Sequence, residues 1–397
     1  MILYSGFPFW LMKNGYLFSY PSLSKNITTD VLIIGAGISG ALTGHKPVNS
    51  GVNVVLVDKR MPGMGSTCAS TSLLQYEIDL SLNDLSKQHG RENATAAYLL
   101  CLDAIYQPKR ISEKLKIDCG FQLKKSIYLA SEKSEVNRLK LEFEARKKIG
   151  IRVNYLNQKD LRKNFSLHAP GGLLSYDAGQ MDSYKFTHGL LQDIIRRGGN
   201  IFSQTEIKKI NYRKAGVEVI TENGNKISAK KIVMAIGYES LLLIDPPLTT
   251  LHSTFAVVSE PIEKNTIDYL LWETARPYFY LRATDDNRII IGGKDENFID
   301  SEKRNSLHEK KSKALIRTFQ KKFPSLKFKP AFEWCGTFAD TKDGLPYIGS
   351  HVKFPHTYFA LGFGGNGITF SQIAAEIIYD LFLQKKNTYA EIFSFTR

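Results

Sequence analysis

Three glycines and one aspartate carry the clearest chemistry in this chain. Gly35, Gly37 and Gly40 form a Gly-x-Gly-x-x-Gly spacing directly after the apolar run 31–34. The next segment starts helical. A second apolar run, 52–57, then ends in Asp58, close to the expected distance of about 20 residues beyond the motif. Strand, glycine turn, helix, strand and acid is the order a dinucleotide site requires. Gly35 permits the tight turn, Gly37 lets a pyrophosphate approach the backbone, and Gly40 lets helix and strand pack closely. The helix start, with Ala36, Ile38 and Ser39 between and beside those glycines, offers free N–H groups and partial positive charge to phosphates. Asp58, followed by Lys59, can accept from both ribose hydroxyls of an adenosine, and its charge repels a 2′-phosphate.

Two further stretches have suitable chemistry. Residues 59–80 form a loop dense in small side chains, among them Ser66, Thr67, Ser70 and Thr71. Small hydroxyl residues can donate to a phosphate and leave room for a flat ring. An apolar run follows at once, which argues against an idle surface loop. Near the C-terminus a short strand, 358–361, leads through Gly364, Gly365, Asn366 and Gly367 into a helix that begins at Ile368 and Thr369. This second strand, glycine turn and helix N-terminus is placed to face another part of the same ligand.

Stepping along the chain, residues 1–29 read as an arm over the surface, anchored by Trp10, Tyr16, Phe18 and Tyr20. Pro47 falls where the first glycine helix should still run, and costs about 3 kcal/mol in a helix interior. That helix is expected to end or kink near Lys46. Residues 84–118 read as helical with a break at Pro108, 120–130 as a strand and 131–149 as a charged helix. The stretch 171–181 is glycine-rich and precedes a helix over 183–197. Residues 231–238, ending in Ala235, Gly237 and Tyr238, form a buried strand that returns to the first sheet. The pattern over 253–293 is mostly strand, and 302–323 is an amphipathic helix.

With 397 residues, 43% hydrophobic and 23% charged, the chain is globular and long enough for two domains. The net charge of +14 comes from scattered lysines rather than one basic tract, so it reads as a solvated surface. Four cysteines show neither CxxC pairing nor metal-ligand spacing, so no metal is expected. No run of 18 apolar residues or secretory leader is evident, and the cytoplasm is the expected compartment.

Together these motifs make the chain resemble the D-amino-acid oxidase/glycine oxidase superfamily of FAD-dependent oxidoreductases over nearly its whole length. The likeness rests on Gly35-x-Gly37-x-x-Gly40 with Asp58, Gly65-Ser66-Thr67, Ala235-Ile236-Gly237-Tyr238, Thr341-Lys342-Asp343-Gly344-Leu345-Pro346 and Gly364-Gly365-Asn366-Gly367. Tyr20-Pro21-Ser22-Leu23 is similar to the gamma-glutamylputrescine oxidoreductase branch. The resemblance implies an α/β fold: a Rossmann-like FAD-binding domain from 30–83, 150–245 and 336–397, and an α+β substrate domain on a mostly antiparallel sheet from 84–149 and 246–335. It implies oxidation of a C–N bond of an amine or amino acid by hydride transfer to flavin N5, followed by imine hydrolysis. It also implies that the Ile207 backbone contacts adenine and that the helix near Gly367 points at the flavin N1–C2=O edge. Cys335 stands one position from where some sarcosine oxidases attach FAD, so non-covalent FAD is expected.

Two departures bear on substrate. Amino-acid oxidases of this group place a carboxylate-binding arginine where Phe338 stands, and a second where Gly365 stands. An arginine–carboxylate clamp is hard to replace, which puts a simple α-amino acid substrate in doubt. Arg276, Tyr278, Tyr280 and Arg282 are candidates to rebuild a polar site, with the alternative that they are exposed strand residues. The substrate is a small amine or amino acid, and the electron acceptor is open among oxygen, a quinone and a protein. Competing readings are an NAD-dependent dehydrogenase, a tRNA-modifying oxidase of the same fold, and a non-catalytic flavoprotein whose cofactor helix Pro47 has damaged.

Overall fold

The computed structural model describes all residues except 243, 245–247, 264 and 265. The expected domain boundary between 245 and 246 lies outside the described residues. The apolar run at the first glycine motif forms the strand Ile27–Ile34, central in an eight-stranded sheet. It pairs in parallel with Val54–Val57 on one side and Lys226–Met234 on the other. Asn200–Phe202 and Phe354–Leu361 extend the parallel order, and Tyr347–His351 closes one edge antiparallel. Alternate side chains feed opposite faces, as strand geometry requires. Ile33 and Leu56 enter one core with the helices Ile38–Val48, Ser183–Arg196 and Gly367–Phe382, whereas Leu32, Val55 and Val57 enter another with Val219 and Ile232.

The first glycine helix ends at Val48, one residue past Pro47 and two beyond the expected point near Lys46. The missing N–H thus falls in the final turn. The Pro47 carbonyl accepts from Ser50 and Val52, which turns the chain away. Arg91–Leu115, by contrast, runs through Pro108 without the expected break.

The second sheet has ten strands and is mixed. Its main path runs Tyr4–Gly6, Pro330–Thr341, Thr249–Ser259, Ile289–Glu296, Phe279–Ala283, Tyr269–Glu273, Gln122–Leu129, Gly171–Gln180 and Leu73–Leu74. Every pairing on that path is antiparallel except Tyr269–Glu273 with Gln122–Leu129. Helix Ser301–Lys322 covers one face with Leu315 and Phe319.

Several expected boundaries need correction. The N-terminal arm is not merely laid over the surface, because Tyr4–Gly6 is an edge strand of this sheet and Phe9 and Trp10 are buried. Val153–Asn157 and Gly171–Gln180 also belong here, and so do residues 336–341, whereas the expected boundaries place them on the dinucleotide side. Arg91–Leu115, expected in the substrate domain, shares the dinucleotide-side core with Ile373 and Ile377. The glycine-rich stretch forms the strand Gly171–Gln180. Its glycines serve close packing: a Cβ on Gly172 would stand 3.1 Å from the Tyr128 carbonyl oxygen.

One buried charge cluster ties helix Val136–Lys148 to the segment after the phosphate loop. Arg146 donates to Glu77 (3.0 Å) and Glu142 (2.9 Å), enclosed by the rings of Tyr76, Tyr98 and Tyr128. Arg146→Met would strand two buried carboxylates. It is expected to destabilise the fold by about 3–5 kcal/mol, measured as a lower urea midpoint.

Candidate active site

A cavity of about 700 Å³ is lined by residues of both sheets. Known small-molecule sites span about 300–1,000 Å³. At one end lie Gly35, Gly37, Ile38, Ser39, Asp58, Lys59, Ile207, Ala235 and Gly237. The chain geometry here needs glycine. Gly35 has φ +106°, and a Cβ on it would stand 2.3 Å from the Ala235 carbonyl oxygen. A Cβ on Gly40 would stand 1.9 Å from the Gly35 carbonyl oxygen. Asp58 is fixed by N–H donors from Ala36 and Arg60, both at 2.8 Å. Burial pushes its carboxyl up from the usual range, against the pull of those two N–H groups. Lys59 lines the cavity while its ammonium pairs with Glu239 at 2.8 Å.

Beside this end runs the loop holding Ser66, Thr67, Ser70 and Thr71, all on the cavity. Thr67 Oγ1 accepts from the Ile38 N–H at 3.0 Å, capping the glycine helix from outside. The loop carbonyls are held by three large side chains. Trp10 Nε1 donates to Ser70 (2.7 Å) and Trp334 Nε1 to Ala69 (2.8 Å). Arg282, 2% exposed, donates to the carbonyls of Ser72 (2.9 Å), Thr71 (3.3 Å) and Met181 (2.9 Å). Arg282 is therefore a clamp on this loop and neither a substrate contact nor an exposed strand residue. With those oxygens engaged elsewhere, N–H and hydroxyl groups are left for an anionic ligand.

The far end is the second glycine turn, where Gly364, Gly365, Gly367 and Ile368 line the cavity at the start of Gly367–Phe382. Ser39 of the first glycine helix meets Ser371 of the last at 2.7 Å, which holds the two helix starts together. Four expected ligand residues do not line the cavity: Ala36, Gly40, Asn366 and Thr369. Asn366 instead donates to the Glu77 carbonyl (2.7 Å), and Thr369 to the Asn366 carbonyl (3.0 Å). They brace the turn from behind.

The opposite wall is one face of the larger sheet. Phe338 faces His252 across the strand pair, and Trp272 faces Tyr280. Tyr280 lies over Gly292, where a Cβ would stand 2.3 Å from its hydroxyl. Arg276, Tyr278, Tyr280 and Phe338 line the cavity, as do Thr254, Trp272, Asp79 and Asp295. The last four were missed from sequence. Asp79 follows an apolar run with no motif, and Asp295 sits at a strand end whose face only the register reveals. Burial, ahead of any neighbouring charge, pushes the carboxyls of Asp79 and Asp295 up, and that of Asp340 up to about 7. Cys335 does not line the cavity and neighbours Ser5 and Asn305.

Removing the clamp tests the middle of the site. Arg282→Met would leave three carbonyls short of a donor, at about 1–3 kcal/mol each. The expected result is at least a roughly tenfold rise in the Kd for FAD, titrated by quenching of flavin fluorescence. Gly40→Ala should abolish FAD retention outright by the same measurement.

Comparison with known proteins agrees with this geometry. The family described as DAO, FAD dependent oxidoreductase, matches residues 30–381. Glycine oxidase of Geobacillus kaustophilus (strain HTA426) is 23% identical over 382 residues, covering 93% of this chain and 97% of that protein. Gamma-glutamylputrescine oxidoreductase of Escherichia coli (strain K12) is 21% identical over 380 residues, covering 91% and 85%. In three dimensions the crystal structure of glycine oxidase from Geobacillus kaustophilus superposes with a TM-score of 0.79 at 20% identity, over 93% of this chain and 99% of that one. L-proline dehydrogenase from P. horikoshii gives 0.77 at 20% identity, over 94% and 97%. Among the described residues no helix is long and apolar enough to cross a membrane. Two glycine turns on one cavity, and a family match spanning both, place this chain in the DAO family of FAD-dependent oxidoreductases.

Proposed function

We propose that this protein oxidises a C–N bond of a small amine. The observation that carries the reading is a single cavity that joins both glycine-turn helix starts and has an aromatic wall opposite. Gly35, Gly37, Asp58 and Ile207 would hold the adenosine and pyrophosphate of FAD, the Ser66–Thr71 side would hold its chain, and the Gly364–Ile368 turn its ring. FAD bound there without a covalent link would supply a two-electron acceptor for the hydride of the substrate C–H bond, while the lone pair of a neutral nitrogen would close the C=N bond.

The residues present do the rest. Helix Gly367–Phe382 opens on the cavity with Gly367 and Ile368, so its partial positive N-terminal end would favour negative charge developing on a ring held there. Tyr280, Trp272 and Phe338 restrict water and orient the apolar part of the substrate. Oxidation requires a neutral amine, so no side chain is assigned as a base. Water hydrolyses the imine after release.

An amine is favoured over an α-amino acid because the wall has Phe338, and the turn has Gly365, where the amino-acid oxidases of this family carry arginines. The Gly365 N–H is in turn committed to Asp79, at 3.2 Å. The cytoplasm is the proposed compartment.

Anaerobic mixing of the flavin-loaded protein with a panel of amines, amino acids and hydroxy acids tests the reading. Amines are expected to bleach the oxidised flavin band, and α-amino acids to be at least about tenfold slower at equal concentration, the scale of one lost charge-assisted contact. Bleaching by hydroxy acids alone would overturn it.

A further inference from the structure

The cavity wall that faces the second glycine turn is more acidic than C–N oxidation requires. Asp79 Oδ2 accepts from the Gly365 N–H (3.2 Å), and the Tyr278 hydroxyl donates to Oδ1 (3.3 Å). Asp295 lines the same cavity, and its Oδ1 is buried without a hydrogen-bond partner. Asp340 lies two residues beyond Phe338 on that strand face, just outside the cavity lining; its side chain is 39% exposed, but its Oδ1 is buried and unpartnered. The basic groups facing them are few. His252 Nε2 lies 3.3 Å from Asp340 Oδ2. The Arg276 guanidinium is centred 3.4 Å from the Tyr278 ring and donates to the main-chain carbonyl of Asp79 (3.2 Å). Three carboxyl groups thus meet one guanidinium and one imidazole, and Asp295 Oδ1 and Asp340 Oδ1 have no hydrogen-bond partner in reach, so that an added cation would hold all three ionised. Buried carboxylate oxygens are ordinarily paired.

The reacting nitrogen cannot be what they await, because it must be neutral to lend its lone pair. A second alkylammonium, with an ordinary pKa near about 10.4, stays charged at neutral pH and needs a counter-charge when it leaves water. A substrate carboxylate in the same place would meet like charges.

We propose that the substrate carries a second positive charge held by Asp79, Asp295 and Asp340, which makes it an aliphatic diamine or polyamine oxidised at one of its C–N bonds. This rests on the amine reading above and narrows it.

The test uses the flavin-loaded protein with cadaverine, pentylamine and aminovalerate, which share a chain length and differ in the charge of the far end. Two readouts are taken: binding, from the shift of the oxidised flavin spectrum, and anaerobic flavin reduction. Cadaverine is expected to bind about a hundredfold tighter than pentylamine, with aminovalerate weakest. Asp295→Asn and, separately, Asp340→Asn should collapse the cadaverine-over-pentylamine ratio by about tenfold or more, with flavin content reporting that each variant is folded. Equal binding of cadaverine and pentylamine, or a ratio unchanged in both variants, would overturn the proposal. If cadaverine binds as stated but no amine reduces the flavin, the oxidation reading falls and the cation site stands. If pentylamine reduces the flavin and cadaverine binds no better, the cation site falls alone.

Discussion

The fixed point of this structure is a buried guanidinium with four carbonyls around it, that of Ala283 among them. Arg282 rises from the larger sheet and binds main-chain oxygens of Thr71, Ser72 and Met181. Burial pushes its pKa down to about 10, yet it stays charged at neutral pH. Such a charge is tolerated only where donors find acceptors. The indoles of Trp10 and Trp334 complete the arrangement on Ser70 and Ala69. Four successive carbonyls are thereby turned to the larger sheet and the N-terminal arm. The phosphate loop belongs to the dinucleotide side in sequence, but its conformation is set from the other sheet. That is why the arm matters: its indole is part of the cofactor loop's support.

Legibility in the sequence followed the range of each interaction. The turn at Gly35, Gly37 and Gly40 is local, so spacing alone reveals it, and the clashes that a Cβ would create at Gly35 and Gly40 are the physical content of that spacing. The turn at Gly364 to Gly367 was readable for the same reason. The wall was not, because it is assembled from five strands whose order is set by pairing between distant residues. Tyr280 and Asp295 meet the cavity only because their strands are neighbours in register. Arg282 and Arg276 look equivalent in sequence, six positions apart on one strand region. One is buried in carbonyls and the other is exposed at the cavity rim.

Glycine serves packing at 171–179 rather than a turn. Gly172 and Gly179 sit in the strand Gly171–Gln180, where the absent side chains admit the Tyr128 carbonyl and the side chains of Ile105 and Phe121. Glycine there weakens strand propensity, and packing between sheet and helix outweighs it.

Charge links the last helix to the acidic wall of the cavity. The last helix presents partial positive charge to the cavity at its start, while Asp79 faces the same turn and takes up the Gly365 N–H. These fields oppose each other. With the carboxylates alone, negative charge developing at the turn would be disfavoured by the nearby anions, and burial weakens the screening that water would supply. On the proposed reading, a cation seated among Asp79, Asp295 and Asp340 would reverse that balance by neutralising the wall. Substrate binding and electron acceptance would then be coupled through one local field, and the selectivity of the wall would be part of how readily the reaction proceeds.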